Sequence, residues 1–190
     1  MDEMKSVLNN AIALVKDPVG YMTQNKDQTV SVNSLMFNYV AILALIPLVG
    51  RLIADFAYES SHGRIAYAIG GSIIAYILDL IAVFVIGYVI WKLAPSFKTS
   101  ATQEKATMLS AFVYTPVFLI GILSIVPILG YLAVLGLLYG LYILYRGLPI
   151  ILNTPADKTV MYVIAVLVVS IIILAIISVV ISGLDTTALR

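Results

Sequence analysis

The sequence predicts an all-α integral membrane protein: a five-transmembrane-helix bundle preceded by a short N-terminal amphipathic helix. Three observations carry that reading. Of 190 residues, 62% are hydrophobic and only 11% charged, against about 45–50% and about 25% in soluble domains. Uncharged or nearly uncharged runs cover 28–50, 65–91, 108–145 and 160–184, and a spanning helix needs about 20 mostly apolar residues. The third run is 38 residues long. As one straight helix it would extend about 57 Å, nearly twice the roughly 30 Å hydrocarbon core, so it folds back on itself and supplies two spans.

The elements follow in order. Residues 1–32 form a polar tail in which Met4, Val7, Ala11, Leu14 and Val15 share one helical face, away from Lys5, Asn9 and Lys16. That is the pattern of an amphipathic helix lying on a membrane surface, ended or restarted by Pro18. Asp2 and Glu3, with no long apolar core behind them, do not make a cleavable signal, so the first span serves as the insertion signal. The membrane domain is 33–190, with helices at about 33–53, 65–92, 107–126, 128–151 and 159–183.

Two phrases punctuate these helices: "IPLVGRL" at 46–52 and "VPILGYL" at 126–132. Proline removes a backbone donor and clashes with the preceding turn, while glycine tolerates the turn that follows. Pro127 and Gly130 therefore mark a tight hairpin between the third and fourth helices. Pro47 and Gly50 are expected to stop or kink the first, because Arg51 and Asp55 follow and lead the chain into a polar segment. Aligned at an offset of 80, 37–52 and 117–132 share Ile42, Leu43, Pro47, Gly50 and Leu52 with their counterparts. Internal duplication and chance matching of apolar sequence both remain open.

Lysine and arginine set orientation. Lys5, Lys16, Lys26, Lys92, Lys98, Lys105, Arg146 and Lys158 fall on one side of a five-helix topology, and only Arg51, Arg64 and Arg190 on the other. The N-terminus is expected in the cytoplasm and the C-terminus outside.

Composition narrows the function. A net charge of +1 offers no field for nucleic acid, and the chain has no cysteine to bind metal or act as a nucleophile. No Gly-rich phosphate loop, HExxH or GxSxG occurs, so neither enzymatic activity nor a cofactor is expected. Asp79 is the one carboxylate inside a span, about fourteen residues from either end of the second helix. It reads either as a proton or cation relay or as a structural acid bonded to a neighbouring helix, with no second intramembrane charge to partner it. Asp55, Glu59 and His62 share a helical face by spacing. They form a weak outer-face cluster, read as ordinary solvated charges rather than a metal site. "GLLYG" places Gly136 and Gly140 in a small-xxx-small motif for close helix packing, within the chain or with another copy. Tyr139, Tyr142 and Tyr145 run toward Arg146 as an interfacial belt.

These features together resemble a known family. The tail with "DPVGYM", the first helix closing on "IPLVG", the stretch "WKLAPSFKTSATQEKATMLSAFVYTPVFLIGILSIVPILG" and then "LLYGLYILYRGLPIIL" are similar to the Yip family, named for interaction with Ypt/Rab GTPases. Its most specific part is 93–148: Tyr114 and Pro116, the Pro-x-x-Gly hairpin, and 139–142 ahead of Tyr145 and Gly147. The resemblance implies five spans with a cytoplasmic N-terminus. For eukaryotic members it implies work in vesicle traffic and membrane shaping, through oligomers and GTPase contacts. The tail here is far shorter than theirs, which argues against GTPase binding and points to a short prokaryotic-type member in the plasma membrane. The expected role is a non-enzymatic scaffold or adaptor that meets the lipid bilayer, itself as a homo-oligomer, or other membrane proteins, in membrane organisation or membrane-protein trafficking. The alternative is a small transporter or channel that uses Asp79.

Overall fold

The computed structural model describes residues 2–58 and 65–188, with side chains described as far as Ile176. Among them all regular structure is helical and none is strand. Two short helices, α1 (Asp2–Lys16) and α2 (Pro18–Asn25), precede the bundle. Five helices long and apolar enough to cross a bilayer follow: α3 (Val32–Tyr58), α4 (Ile65–Phe97), α5 (Gln103–Ile125), α6 (Pro127–Leu152) and α7 (Ala156–Ala188).

Local chemistry sets several boundaries. The Asp17 carboxylate accepts the Gly20 N–H at 2.9 Å, with Pro18 as the first residue of α2. Ser31 accepts the Ser34 N–H at 3.2 Å at the start of α3, and Thr102 accepts that of Lys105 at 3.4 Å at the start of α5. These side chains satisfy donors that a helix start leaves unpaired. Asn153 ends α6 in the left-handed region at φ 53°, a conformation asparagine tolerates better than most residues.

The bundle is built around α5. Some 56% of its span is buried, against 22–28% in the other four. Helix α6 returns antiparallel along it and approaches through glycines. A β-carbon at Gly136 would lie 2.9 Å from the Val117 Cα, and one at Gly140 would lie 2.5 Å from the Val113 carbonyl oxygen. Without an aqueous phase to drive apolar helices together, such backbone proximity is a principal source of association. The turn between them is a 3₁₀ stretch (Gly121–Ile125), an extended Val126, and a short helix opened by Pro127 and closed by Gly130. Polar side chains fasten the other helices. Ser110 donates to the Val83 carbonyl, Tyr162 to the Ile90 carbonyl, and Tyr39 and Thr115 share a hydrogen bond of 2.9 Å. Below the bundle, Val7, Ala11 and Leu14 of α1 and Met22 of α2 are buried, and the Tyr139 hydroxyl donates to the Val15 carbonyl at 2.8 Å.

One expectation is corrected. Pro47 and Gly50 do not stop the first helix, which continues through both to Tyr58. Proline removes one hydrogen bond of the helical ladder, but in a membrane helix neighbouring groups compensate. Here both residues are close-packed: a β-carbon at Gly121 would lie 2.6 Å from the Pro47 Cβ, and one at Gly50 would lie 2.6 Å from the Ser124 Oγ. The proline and glycine that look like breakers are the surface on which the α5–α6 turn rests.

The glycines separate packing from propensity. Gly140→Ala drives a methyl into a backbone carbonyl that cannot rotate away, so unfolding in mild detergent should show a loss of about 1–3 kcal/mol. Gly70 of α4 faces open space, with nothing within 4 Å of a β-carbon. Gly70→Ala should leave stability unchanged or raise it by up to about 1 kcal/mol through helix propensity.

Candidate functional site

The two proline-glycine phrases converge on one place in the bundle, and it holds an ion pair between helices. Arg51 stands on α3 one turn after Pro47. Its Nη2 lies 2.5 Å from Asp79 Oδ2 on α4, and its Nε donates to the Pro47 carbonyl at 3.2 Å. Both side chains are about a quarter exposed, 26% and 28%. Beside the pair is a cavity of about 250 Å³ lined by Pro47, Arg51, Asp79, Gly121, Ser124 and Gly130, among others. Ser124 donates to the Gly121 carbonyl at 2.8 Å.

Asp79 therefore has a charged partner inside the bundle, which corrects the expectation that none exists. The first helix was expected at about 33–53, with Arg51 counted among the outer-side charges because a proline and a glycine precede it. Since α3 continues to Tyr58, the guanidinium is carried on a helix within reach of Asp79. Its arginine chemistry matters. The planar fork lets one edge bind the carboxylate while Nε holds the helix's own carbonyl. A turn further on, Ser72 of α4 donates to the Asp55 carboxylate at 2.7 Å, a second polar fastening between α3 and α4.

The remaining sequence candidates take distinct places. Gly136 and Gly140 meet α5 of the same chain. Asp55 is engaged with Ser72, whereas Glu59 and His62 lie outside the described residues. In the tyrosine row, Tyr139 binds the backbone of α1, while Tyr142 and Tyr145 remain exposed.

The pair's worth lies between two limits. An exposed ion pair contributes about 0–1 kcal/mol, while removing one partner of a buried pair costs about 3–5 kcal/mol. At this exposure Arg51→Leu or Asp79→Leu should each cost about 1–3 kcal/mol, because each orphans a charge. The double substitution should recover much of that loss. A double-mutant cycle read by unfolding in detergent tests this: strong coupling is expected, and additivity would mean the two groups do not interact.

The Yip1 domain family model matches residues 12–177, from α1 into α7. No curated protein and no solved structure matches the chain. The family match spans all five membrane helices, the Arg51–Asp79 pair and the α5–α6 turn; the chain belongs to the Yip1 family of membrane proteins.

Proposed function

We propose that the protein is a non-enzymatic Yip-type scaffold or adaptor that organises other membrane proteins, or copies of itself, in the plasma membrane of a prokaryote. The observation that carries this reading is that the carboxylate at depth, and several hydroxyls with it, are engaged by neighbouring helices. Asp79 is bound to Arg51, Tyr39 to Thr115, Ser110 to the Val83 carbonyl and Tyr162 to the Ile90 carbonyl. A relay carboxylate must exchange its proton or cation with a pathway; this one closes a contact between helices. The same groups suit a rigid body.

The outer faces fit the role. Leu135 and Leu138 of α6 and Val160, Met161, Ile164 and Val168 of α7 are exposed. In a bilayer these are surfaces for lipid or for the helices of a partner. Val7, Ala11 and Leu14 of α1 are docked on the bundle, so that face is not free to receive a GTPase. The competing reading, a transporter, draws on the cavity beside Arg51 and Asp79.

Proteoliposomes distinguish the two. The scaffold reading expects no proton or cation flux above that of empty liposomes, and no change with Asp79→Asn. It also expects cross-linking in native membranes to give discrete adducts that survive purification in mild detergent. Flux that Asp79→Asn abolishes would overturn the scaffold reading in favour of transport.

A further inference from the structure

The N-terminal tail does not close flush on the bundle. A cavity of about 200 Å³ lies where α1, α2 and the stretch after them meet the first turns of α3 and the N-terminal half of α5. Its floor includes the buried Met108 and Phe112 of α5. Tyr21 and Tyr39 make T-shaped contacts with the Phe112 ring, at 5.6 and 6.3 Å between centroids. The wall is rich in amides: Asn10, Asn25, Gln28 and Asn38 line it, together with Ser34. None of the lining residues carries a charge.

Some of these groups hold one another. Gln28 Nε2 donates to Asn25 Oδ1 at 2.6 Å, and Asn25 Nδ2 to the Tyr21 carbonyl at 2.8 Å. Asn38 Nδ2 donates to Ser34 Oγ at 3.2 Å. The Asn10 amide and the Tyr21 hydroxyl bond no other described residue, which leaves both donors and acceptors for an occupant. The backbone supplies an independent sign. Met36–Val40 of α3 is a π-helical turn, closed by the Ala41 N–H on the Met36 carbonyl. Asn38 and Tyr39 belong to that turn and line the cavity. Such turns are rare and occur frequently at functional sites.

The chemistry selects the ligand. An apolar occupant would strand the amides, at about 1–3 kcal/mol for each unmet group. A phosphate or carboxylate would give up hydration with no cation on the wall to meet it. Amides and a phenol both donate and accept, which matches a ring of hydroxyls, and the aromatic floor takes the apolar face of such a ring. The volume is below the roughly 300–1,000 Å³ of drug-sized sites and suits a single ring. Depth agrees. Phe112 lies seven residues beyond Lys105 along α5, about 10 Å at 1.5 Å per residue, short of the roughly 15 Å half-thickness of the hydrocarbon core. A headgroup therefore reaches the cavity from the interface while its acyl chains stay in lipid.

We infer that this cavity binds an uncharged hexosyl ring, presented by the headgroup of a membrane glycolipid or by a soluble glycoside. Neither Arg51 nor Asp79 takes part, so the inference stands apart from the scaffold reading.

The test uses the full chain, purified without sugar detergents, in phosphatidylcholine nanodiscs followed by thermal unfolding. Glucosyl diacylglycerol in the bilayer should stabilise the protein saturably, as any ligand of the folded state does. Methyl glucoside in solution should bind the same site more weakly, because it lacks the local concentration that anchoring gives. A response to methyl glucoside alone would keep the site and assign its source to solution. Asn10→Ala and Tyr21→Phe break no hydrogen bond to a described residue, so neither should lower ligand-free stability. Each should weaken binding of the glucosyl ring about two- to tenfold, the worth of one net hydrogen bond. No response to either glucoside, or an affinity unchanged in both variants, would overturn the proposal. So would an equal, Asn10-dependent response to phosphatidic acid, which would make this a site for an anion.

Discussion

A carboxylate at bilayer depth is held away from lipid, and here Asp79 meets Arg51, joining α3 to α4 beside the Asp55–Ser72 hydrogen bond. An aspartate left facing lipid costs about 2.5–3.5 kcal/mol on insertion scales, a large share of the roughly 5–15 kcal/mol by which domains are stable. Pairing Asp79 with Arg51 removes that penalty only if α3 stays helical past Pro47. It stays helical because Pro47 and Gly50 lie against Gly121 and Ser124 of the α5–α6 turn. The ion pair, the unbroken α3 and the shape of the turn are thus one arrangement.

That arrangement explains why two similar phrases have different structures. At "VPILG" the helix is broken: Val126 is extended and a new helix starts at Pro127. "IPLVG" is pressed on the turn that the second phrase forms, and remains helical. Proline lowers the barrier to breaking a helix, and the neighbours decide whether it breaks. The shared phrase is thus a packing device at both places: at one it makes the turn, at the other it receives it.

Much of this fold was legible in the chain. Composition and run length are properties of the bilayer as solvent, and they identified an all-helical, five-span protein and the fold-back within 108–145. The pairing of Arg51 with Asp79 was not legible, because it depends on helix rotation and on a long side chain's reach. The signal was present nonetheless: two opposite charges on consecutive antiparallel helices. Reading Pro47 and Gly50 as a stop or kink hid it by counting Arg51 with the charges of the outer side.

The account places the intramembrane polar groups in fastening rather than conduction, and its most direct test is the distance between the two charges. Solid-state NMR on protein in bilayers, with ¹⁵N-labelled arginine and ¹³C-labelled aspartate, measures dipolar coupling between the Arg51 guanidinium and the Asp79 carboxyl. The Nη2–Oδ2 separation of 2.5 Å predicts a strong coupling, from a nitrogen-to-carboxyl-carbon distance within about 4 Å, lost in Asp79→Leu. A separation beyond about 6 Å, where the pair no longer holds the charged forms together, would contradict the account.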